Sequence, residues 1–542
     1  MSTHKLINKI RDTLIVLIAV FAIDSPGWAA TTYYIDPSGS DTTGNGLAGN
    51  PWKLLSHACT HVTTSGNTIH INAGTYTDNS PCTLAVGVNI EGAGKDYVTI
   101  NSTYNDVYLQ VDSTPLVNGN QTISGFTLDG QTHQLAYGIS ISGRNNVTLT
   151  NCNLQHINNR GIRVIGYFTW TGVDQNSPPV PPPGYATGCT LSNLTVTDCS
   201  LPYAVGATNA SIMLGCVDTL TINNVTIDES TRGGCGIRAA PGWVNNSIIE
   251  NCTITVDSSH AYPMPLEIYN FEKDSEVYNC TFNGGFISLN SGRKNGGTYS
   301  LKFHNNILNH PTDITPFNGH ELSIDDLDFY NNYIIGNGVF IYSTGFFYNA
   351  DGLSNIRIRN NIFHNIYDYG ISITNAAHAY DLSNIKIYNN DIDMIRPDHA
   401  WSGFSGIIVE GNLVGNYIDG LEIKNNVITN QTYSGVYFWG NNVANIRNPV
   451  VTYNDFYNCA MGSINDAGVT NPTFSNNLAA NPQFIATGDR STQYYKLLST
   501  SPLIDAGTNV GLPYNGVAPD IGALESVLGT PPLPPTGFRK LQ

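Results

Sequence analysis

An Asn-rich hexad recurs along this chain and confines it to one kind of architecture. Its form is apolar-x-Asn-(Asn/Cys)-x-apolar. Examples are LTNCNL (149–154), INNVTI (222–227), IENCTI (249–254), VYNCTF (277–282), FHNNIL (303–308), FYNNYI (329–334), IRNNIF (358–363), IYNNDI (387–392) and IKNNVI (423–428). The key position falls at Asn151, Asp198, Asn224, Asn251, Asn279, Asn305, Asn331, Asn360, Asn389 and Asn425, with Asn454 as the last candidate. Most steps are 26 to 29 residues; 47 residues separate Asn151 from Asp198 and 36 separate Asn389 from Asn425. A second element, Gly-apolar-x-apolar, usually follows each Asn: GISI (138–141), GIRV (161–164), GIRA (236–239), GVFI (338–341), GISI (370–373), GIIV (406–409) and GVYF (435–438). Alternation within both elements is strand-like. Short strands at a fixed long period predict a solenoid in which each turn buries its neighbours.

Composition agrees. Of 542 residues only 12% are charged, against about 25% in typical globular proteins. There are 53 Gly, 27 Pro and 30 Tyr, which favours short strands and tight turns over helices or a coiled coil. Hydrophobics at 41% exclude a disordered chain. The net charge of −17 argues against nucleic acid as a partner.

The N-terminus reads as a secretory signal peptide over 1–29. Lys5, Lys9 and Arg11 precede an apolar run from Leu14 to Ile23, and Gly27-Trp28-Ala29 supplies small residues at −3 and −1. The run is shorter than the roughly 20 residues a membrane span needs, and no other stretch is a spanning candidate. A secreted location follows, extracellular, periplasmic or at the cell surface. Ten cysteines fit an oxidising compartment, and none shows zinc-ligand spacing.

On these repeats the sequence resembles the right-handed parallel β-helix proteins of the pectate-lyase-like superfamily, in particular their secreted bacterial members. The resemblance covers roughly 31–526 and implies an all-β fold: a right-handed parallel β-helix of about a dozen coils with a short N-terminal capping helix. It implies that GIxI forms one parallel sheet, that the strand before the Asn forms the next, and that the key Asn side chains stack in an internal ladder. TYYIDPSGSDTTGNGLAGNPWKLLSHA (32–58) and NTIHINAGTYTD (67–78) resemble the family's cap and first coil; NPQFIATGD (481–489) and PDIGALE (519–525) resemble its closing coil. The expected organisation is a cap and first coils over 30–115, repeats over 116–479, a closing coil over 480–526 and a Pro-rich tail over 527–542. Cys152, Cys199, Cys252 and Cys280 follow the key position and are expected inside. Cys152–Cys199 and Cys252–Cys280 stay open as disulfides; Cys59–Cys82 in the cap is the favoured bridge.

Function is then expected on the outer surface. In GIxI the residue between the two apolar positions points outward. That rule predicts an exposed row: Ser140, Arg163, Met213, Arg238, Glu267, Ser288, Phe340, Ser372, Ile408 and Tyr437. In the family this sheet lines the substrate groove. Long insertions (167–188, 256–264 and 393–405) flank it, and loops of this length are often functional. Arg160, Arg163, Arg232 and Arg238 make one zone cationic; Phe340, Tyr342, Trp401, Tyr437 and Trp439 make another aromatic. Arginines hold carboxylates bidentately and aromatic faces stack on sugar rings.

These residues point to a polysaccharide partner and to β-elimination on a uronate polymer. That reaction needs a cation to neutralise the carboxylate, a base and an acid. Arg238 and Arg163 are candidates for the first role; Lys294, His260 and Tyr262 for proton transfer. Tyr262, Phe340, Trp401, Tyr437 and Trp439 are the remaining substrate-binding candidates. Glu267 is a candidate Ca²⁺ ligand, but a single Glu with no nearby Asp row makes a poor calcium site, so no cofactor is assigned. The alternatives are a glycoside hydrolase drawing on Glu267, Asp325, Asp326, Asp398 and Glu410, and a non-catalytic glycan-binding surface protein. A capped, acidic solenoid is expected to be a monomer.

Overall fold

The computed structural model describes residues 30–167, 184–201, 209–257, 259, 263–269, 271–272, 274–290, 301–309, 317–320, 327–336, 346–349, 353–366, 369–374, 381–393, 405–487 and 493–526. The calls on 1–29 and 527–542 lie outside them. Every pairing between named strands is parallel, and each strand pairs with its equivalent one coil on, which makes the chain a right-handed parallel β-helix. Three sheets run its length. Sheet A holds Arg160–Ile165, Leu266–Tyr269 and Val436–Trp439, among others; sheet B holds the strands before the Asn turn, such as Leu301–His304 and Leu382–Tyr388; sheet C holds those after it, such as Ile307–Asn309 and Asp391–Asp393. Inward residues form one continuous apolar core from Ile35 to Val469.

The cap forms as expected. A helix, Leu55–His61, closes the N-terminal end and buries Leu55, Ala58 and Cys59. Leu54 offers no side-chain cap, so Asp78 from the first coil replaces it. Its carboxylate accepts the Ser56 N–H (2.8 Å) and Oγ–H (2.7 Å), and the Tyr108 hydroxyl (3.1 Å). Cys59 and Cys82 form a disulfide. Cys152, Cys199, Cys252 and Cys280 are buried free thiols.

The ladder lies one residue further along than the sequence suggests. Asn151, Asp198, Asn224, Asn251, Asn279, Asn305, Asn331, Asn360, Asn389 and Asn425 all have φ between 49° and 57°. They take the left-handed turn, which Asn tolerates better than most residues. The residue after each is the one inside: Cys152, Cys199, Val225, Cys252 and Cys280, then Asn306, Asn332, Asn361, Asn390 and Asn426. Asn454 belongs to this inner column, and Tyr453 takes its turn with φ 58°. Each inner amide bonds in two directions. Asn390 Oδ1 accepts the backbone N–H of Asn361 (3.0 Å) and its Nδ2–H (2.9 Å); Asn390 Nδ2 donates to Ile358 O (2.9 Å) and Asn426 Oδ1 (2.9 Å). The pattern repeats at Asn332, Asn361, Asn426 and Asn454.

The outer face of sheet B is tied coil to coil. Lys302 meets Glu276 at 2.5 Å, and Arg359 grips both oxygens of Asp328 at 2.9 and 2.8 Å. Tyr278, His304 and Tyr330 stack at 5.1 and 4.5 Å, and Arg359 lies 3.9 Å over the Tyr330 ring. The ring faces are turned to one another, so this face consolidates the solenoid.

Among the described residues the last strand is Thr473–Ser475, and those of 480–526 add none. The segment runs back along the outside of sheet C. Asn360 Nδ2 donates to Ala523 O (3.1 Å), Asn389 Nδ2 to Asp520 O and Gly522 O (3.2 Å each), and Asn425 Nδ2 to Thr508 O (2.7 Å). Tyr494, Tyr495 and Ala523 bury Tyr333 and Ile362; Leu503 and Ile521 bury Val427. Gly522, at φ 125°, passes so close that a Cβ would stand 2.8 Å from Asp391 Oδ1. Asp391 is buried beneath it and its carboxyl is pushed well up by burial. Asp455, 0% exposed, has one partner, the Ala480 N–H at 2.8 Å. Burial raises it from 3.8 to about 7.

Two measurements follow. Asn390→Ala orphans several buried partners at about 1–3 kcal/mol each, so chemical denaturation should show a loss of about 3 kcal/mol or more, whereas Asn251→Gly, at an exposed left-handed turn, should change stability by less than about 1 kcal/mol. Asp455, and Glu229 raised to about 8 by burial, are protonated in the fold at pH values where the unfolded chain is ionised. Stability from such groups is complete below their ordinary values and is lost as pH rises through the folded ones. The histidines with lowered values (His133, His304, His364) act only below their ordinary 6.5. The free energy of unfolding should therefore fall as pH rises from 6.5, by up to about 1.4 kcal/mol per pH unit per group, with Asp455 contributing up to about 7 and Glu229 up to about 8, and Asp455→Asn should flatten the slope below 7.

Candidate functional site

Sheet A carries the row that the sequence predicts, with three positions added, Gln110, Asn318 and Asn465. Register runs Gln110, Ser140, Arg163, Met213, Arg238, Glu267, Ser288, Asn318, Phe347, Ser372, Ile408, Tyr437 and Asn465. Between Ser288 and Ser372 the row passes through Phe317–His320, which lacks the Gly-apolar-x-apolar pattern, and through Phe346–Asn349, where GFFY (345–348) carries it. Phe340 lies outside the described residues, as do His260, Tyr262, Lys294, Tyr342, Trp401, Asp325, Asp326 and Asp398; Phe347 holds the row position expected for Phe340.

The row is not the exposed strip expected of it. Ser140, Met213, Arg238, Glu267, Ser288, Ser372 and Ile408 are all buried. Arg238 Nε stands 2.5 Å from Glu267 Oε2, with both side chains at most 4% exposed. This pair is sealed, and the Glu267 carboxylate faces a guanidinium. Arg232 is likewise committed, its guanidinium donating to Ile157 O at 3.2 Å and to Asn158.

The row opens at two places. Towards the N-terminal end, Asp106, Val107, Tyr137, Ile139, Ser140, Arg160 and Arg163 line a cleft of about 250 Å³. Both arginines belong to one strand, Arg160–Ile165, and both line the cleft, although strict alternation would turn positions three apart to opposite faces. Arg160 lies 5.3 Å over the Tyr137 ring. Arg163 donates from Nε (3.2 Å) and Nη2 (2.8 Å) to Ser140 Oγ, which donates to Asp112 Oδ1 (2.8 Å). Burial pushes the Asp112 carboxyl up, against the hydrogen bond from Ser140 and the charges of Arg163 and Arg144. Burial pulls Arg160 down, opposed by Tyr137, and repulsion from Arg163 and Arg238 adds to the lowering. Three guanidiniums thus crowd this end of sheet A. Behind them Arg144, 2% exposed, is fixed by Ser113 Oγ, Leu84 O, Gln121 Oε1 and Asp112 O. Asp112 and Arg144 were missed from sequence. Asp112 stands two residues after Gln110 on a strand that pairs with GISI, and that alternation was the available signal.

Nine coil steps on, about 43 Å at about 4.8 Å per coil, the row opens again. Tyr437 is half-buried and Trp439 46% exposed. Tyr433 stacks near Tyr437 at 5.0 Å and accepts Asn465 Nδ2–H at 2.7 Å. Glu410, paired in register with Trp439, is raised by burial and opposed by bonds to Thr374 and Asn412. Among the described residues no group of three or more His, Cys, Asp or Glu is placed to hold a metal ion, and no helix is long and apolar enough to cross a membrane.

The sealed pair has a testable signature. Breaking a buried pair by removing one partner costs about 3–5 kcal/mol, whereas replacing both by apolar groups is often close to neutral. Arg238→Met should destabilise the protein by that order in denaturant titrations, and Arg238→Met with Glu267→Leu should restore most of the loss.

No known family model and no curated protein matches this sequence. Solved structures do. Pectate lyase Pel9A aligns over 91% of this chain and 96% of its own, at 15% identity and a TM-score of 0.31. The A-module of the mannuronan C-5 epimerase AlgE4 of Azotobacter vinelandii aligns over 78% and 91%, at 12% identity and 0.36. PfbA, a surface adhesin of Streptococcus pneumoniae, aligns over 82% and 94%, at 13% identity and 0.37. A lyase, an epimerase and an adhesin are thus similar to this chain, which resembles the right-handed β-helix proteins in fold and takes no activity from any of them.

Proposed function

We propose that this chain is a secreted carbohydrate-active protein that binds an acidic polysaccharide along sheet A and cleaves it by β-elimination. The observation that carries the reading is the pairing of Arg160 and Arg163 on one open cleft, with Ser140 and Asp112 fixing the second guanidinium. Two crowded guanidiniums favour an anion between them, and a uronate carboxylate fits their fork geometry. Neutralising that carboxylate makes the adjacent C–H acidic, the first requirement of elimination. The Tyr137 hydroxyl, on the ring beneath Arg160, is the described candidate for moving a proton; His260, Tyr262 and Lys294 complete the set. Arg238 and Glu267, being sealed, act as positioning residues under the neighbouring coils. The distance from the cleft to Tyr437 and Trp439 suits a polymer rather than a small sugar. Secretion is supported by the N-terminal segment and by the Cys59–Cys82 disulfide.

A second reading, binding without cleavage, is favoured by the cleft's described lining, which contains neither histidine nor lysine. One assay separates the two. The purified protein is incubated with pectate, alginate, chondroitin and neutral glycans, with and without Ca²⁺, while ultraviolet absorbance, reducing ends and retention on immobilised polymer are followed. The lyase reading expects absorbance to rise on one uronate polymer and kcat/KM to fall on the order of 30-fold in Arg163→Ala, the loss of one charged bidentate contact. Retention without either product signal moves the protein to the binding reading. Reducing ends without absorbance point to hydrolysis, with Glu410 as the first acid to test.

A further inference from the structure

The C-terminal segment does more than cover apolar surface. Where its antiparallel turn (Phe484 bridged to Leu497) meets sheet C, a cleft of about 430 Å³ opens, within the range of small-molecule sites. Its floor is Asp393, 3% exposed. Thr429 Oγ1 and Asn430 Nδ2 donate to Oδ1 at 2.9 and 2.8 Å, and Tyr495 Oη donates to Oδ2 at 2.5 Å. His364 Nδ1 lies 3.0 Å from the same Tyr495 hydroxyl. A carboxylate has about four acceptor positions; here three are taken, so its orientation is fixed while one acceptor remains for a ligand. The walls are Tyr457 and Phe484 with the amides of Asn481 and Gln483. Asn481 Oδ1 is engaged by the Gln483 N–H (2.9 Å) and Gln483 Oε1 by Thr500 Oγ1 (2.7 Å). Those bonds turn the donor ends, Nδ2 and Nε2, away from the protein donors that hold the oxygens.

We propose that this cleft is a second carbohydrate site, distinct from sheet A, and that it takes a neutral sugar. The chemistry of its lining selects the class. Aromatic surface beside amide donors and a spare carboxylate acceptor matches a pyranose, which offers an apolar ring face and hydroxyls that both donate and accept. Among the described residues of the lining Asp393 is the one charged group, and the His364 ring 4.0 Å behind it is pushed towards its neutral form by burial, so neither offsets a second anion. A uronate would set two carboxylates against each other in a partly dry cleft, so acidic sugars are excluded where the arginine cleft welcomes them. The inference does not rest on the lyase reading; the two sites are on different sheets, and one favours an anion where the other favours an uncharged ring.

The test is an array of neutral and acidic oligosaccharides probed with the full-length protein, followed by affinity electrophoresis in the best neutral polymer. The expected result is retention by at least one neutral glycan. It should be weakened at least tenfold in Tyr457→Ala and in Gln483→Ala and be unchanged in Arg163→Ala. Both cleft substitutions alter wall residues, and an unchanged melting curve checks that the segment stays docked. Silence of every neutral glycan overturns the proposal. So does retention that survives Tyr457→Ala combined with Gln483→Ala, or that disappears with Arg163→Ala.

Discussion

The inner column of amides is the interaction on which the rest of this molecule stands. A parallel solenoid must turn a corner between sheets B and C in every coil, and the corner places backbone polar groups inside an apolar core. Left unpaired, each would cost about 1–3 kcal/mol. From Asn306 to Asn477 a side-chain amide satisfies those groups, donating to one backbone carbonyl of the preceding coil while accepting a backbone N–H of that same coil. The preceding residue supplies the left-handed turn that aims it. With the corner fixed, the register of sheets B and C is fixed, and successive coils stack in step. The N-terminal half fills the same column with Cys, Val and Phe126, where burial replaces amide stacking.

Much of this was legible in the sequence because a solenoid writes its period directly into the chain. The Asn spacing, the alternation in GIRV and KFH-like strands, the cap and the Cys59–Cys82 bridge follow from local rules. The ladder was misplaced by one residue because in Asn-Asn both positions carry the same side chain. Cys152, Cys252 and Cys280 held the answer, since small apolar residues at the second position belong inside. In sheet A, FNGH escaped because no Gly precedes it, whereas GFFY (345–348) carries the pattern and competes with GVFI (338–341) just before it. The path of residues 493–526 was illegible for a different reason: it depends on contacts 83 to 163 residues apart. Its trace in the sequence is faint. Strands of sheet C such as YII and IFH carry apolar residues on both faces, which a half-exposed sheet does not need.

The site divides along the same line. Composition and alternation located the arginines and the aromatics, because outward positions can be counted from the strand pattern. They did not locate burial, because burial on the outside of a solenoid is decided by what folds over it. Arg238 and Glu267 looked like the centre of a groove and are a sealed pair. Arg160 and Arg163, on one strand two coils before Arg238 and three before Glu267, line an open cleft. Charge on an outer row therefore marks candidates, and access selects among them.

The C-terminal segment has a consequence for the order of assembly. Coils of a solenoid can close one after another as they leave the ribosome, each using its predecessor as a template. The outer face of sheet C, with Tyr333, Ile362 and Val427, stays wet through all of that, because the residues that cover it are synthesised more than 60 positions later. The chain therefore spends part of its birth as a nearly complete helix with one greasy flank, and its final segment acts as a zip fastened from outside. Under the export proposed above, a chain that crosses the membrane unfolded never displays that flank to the crowded cytosol.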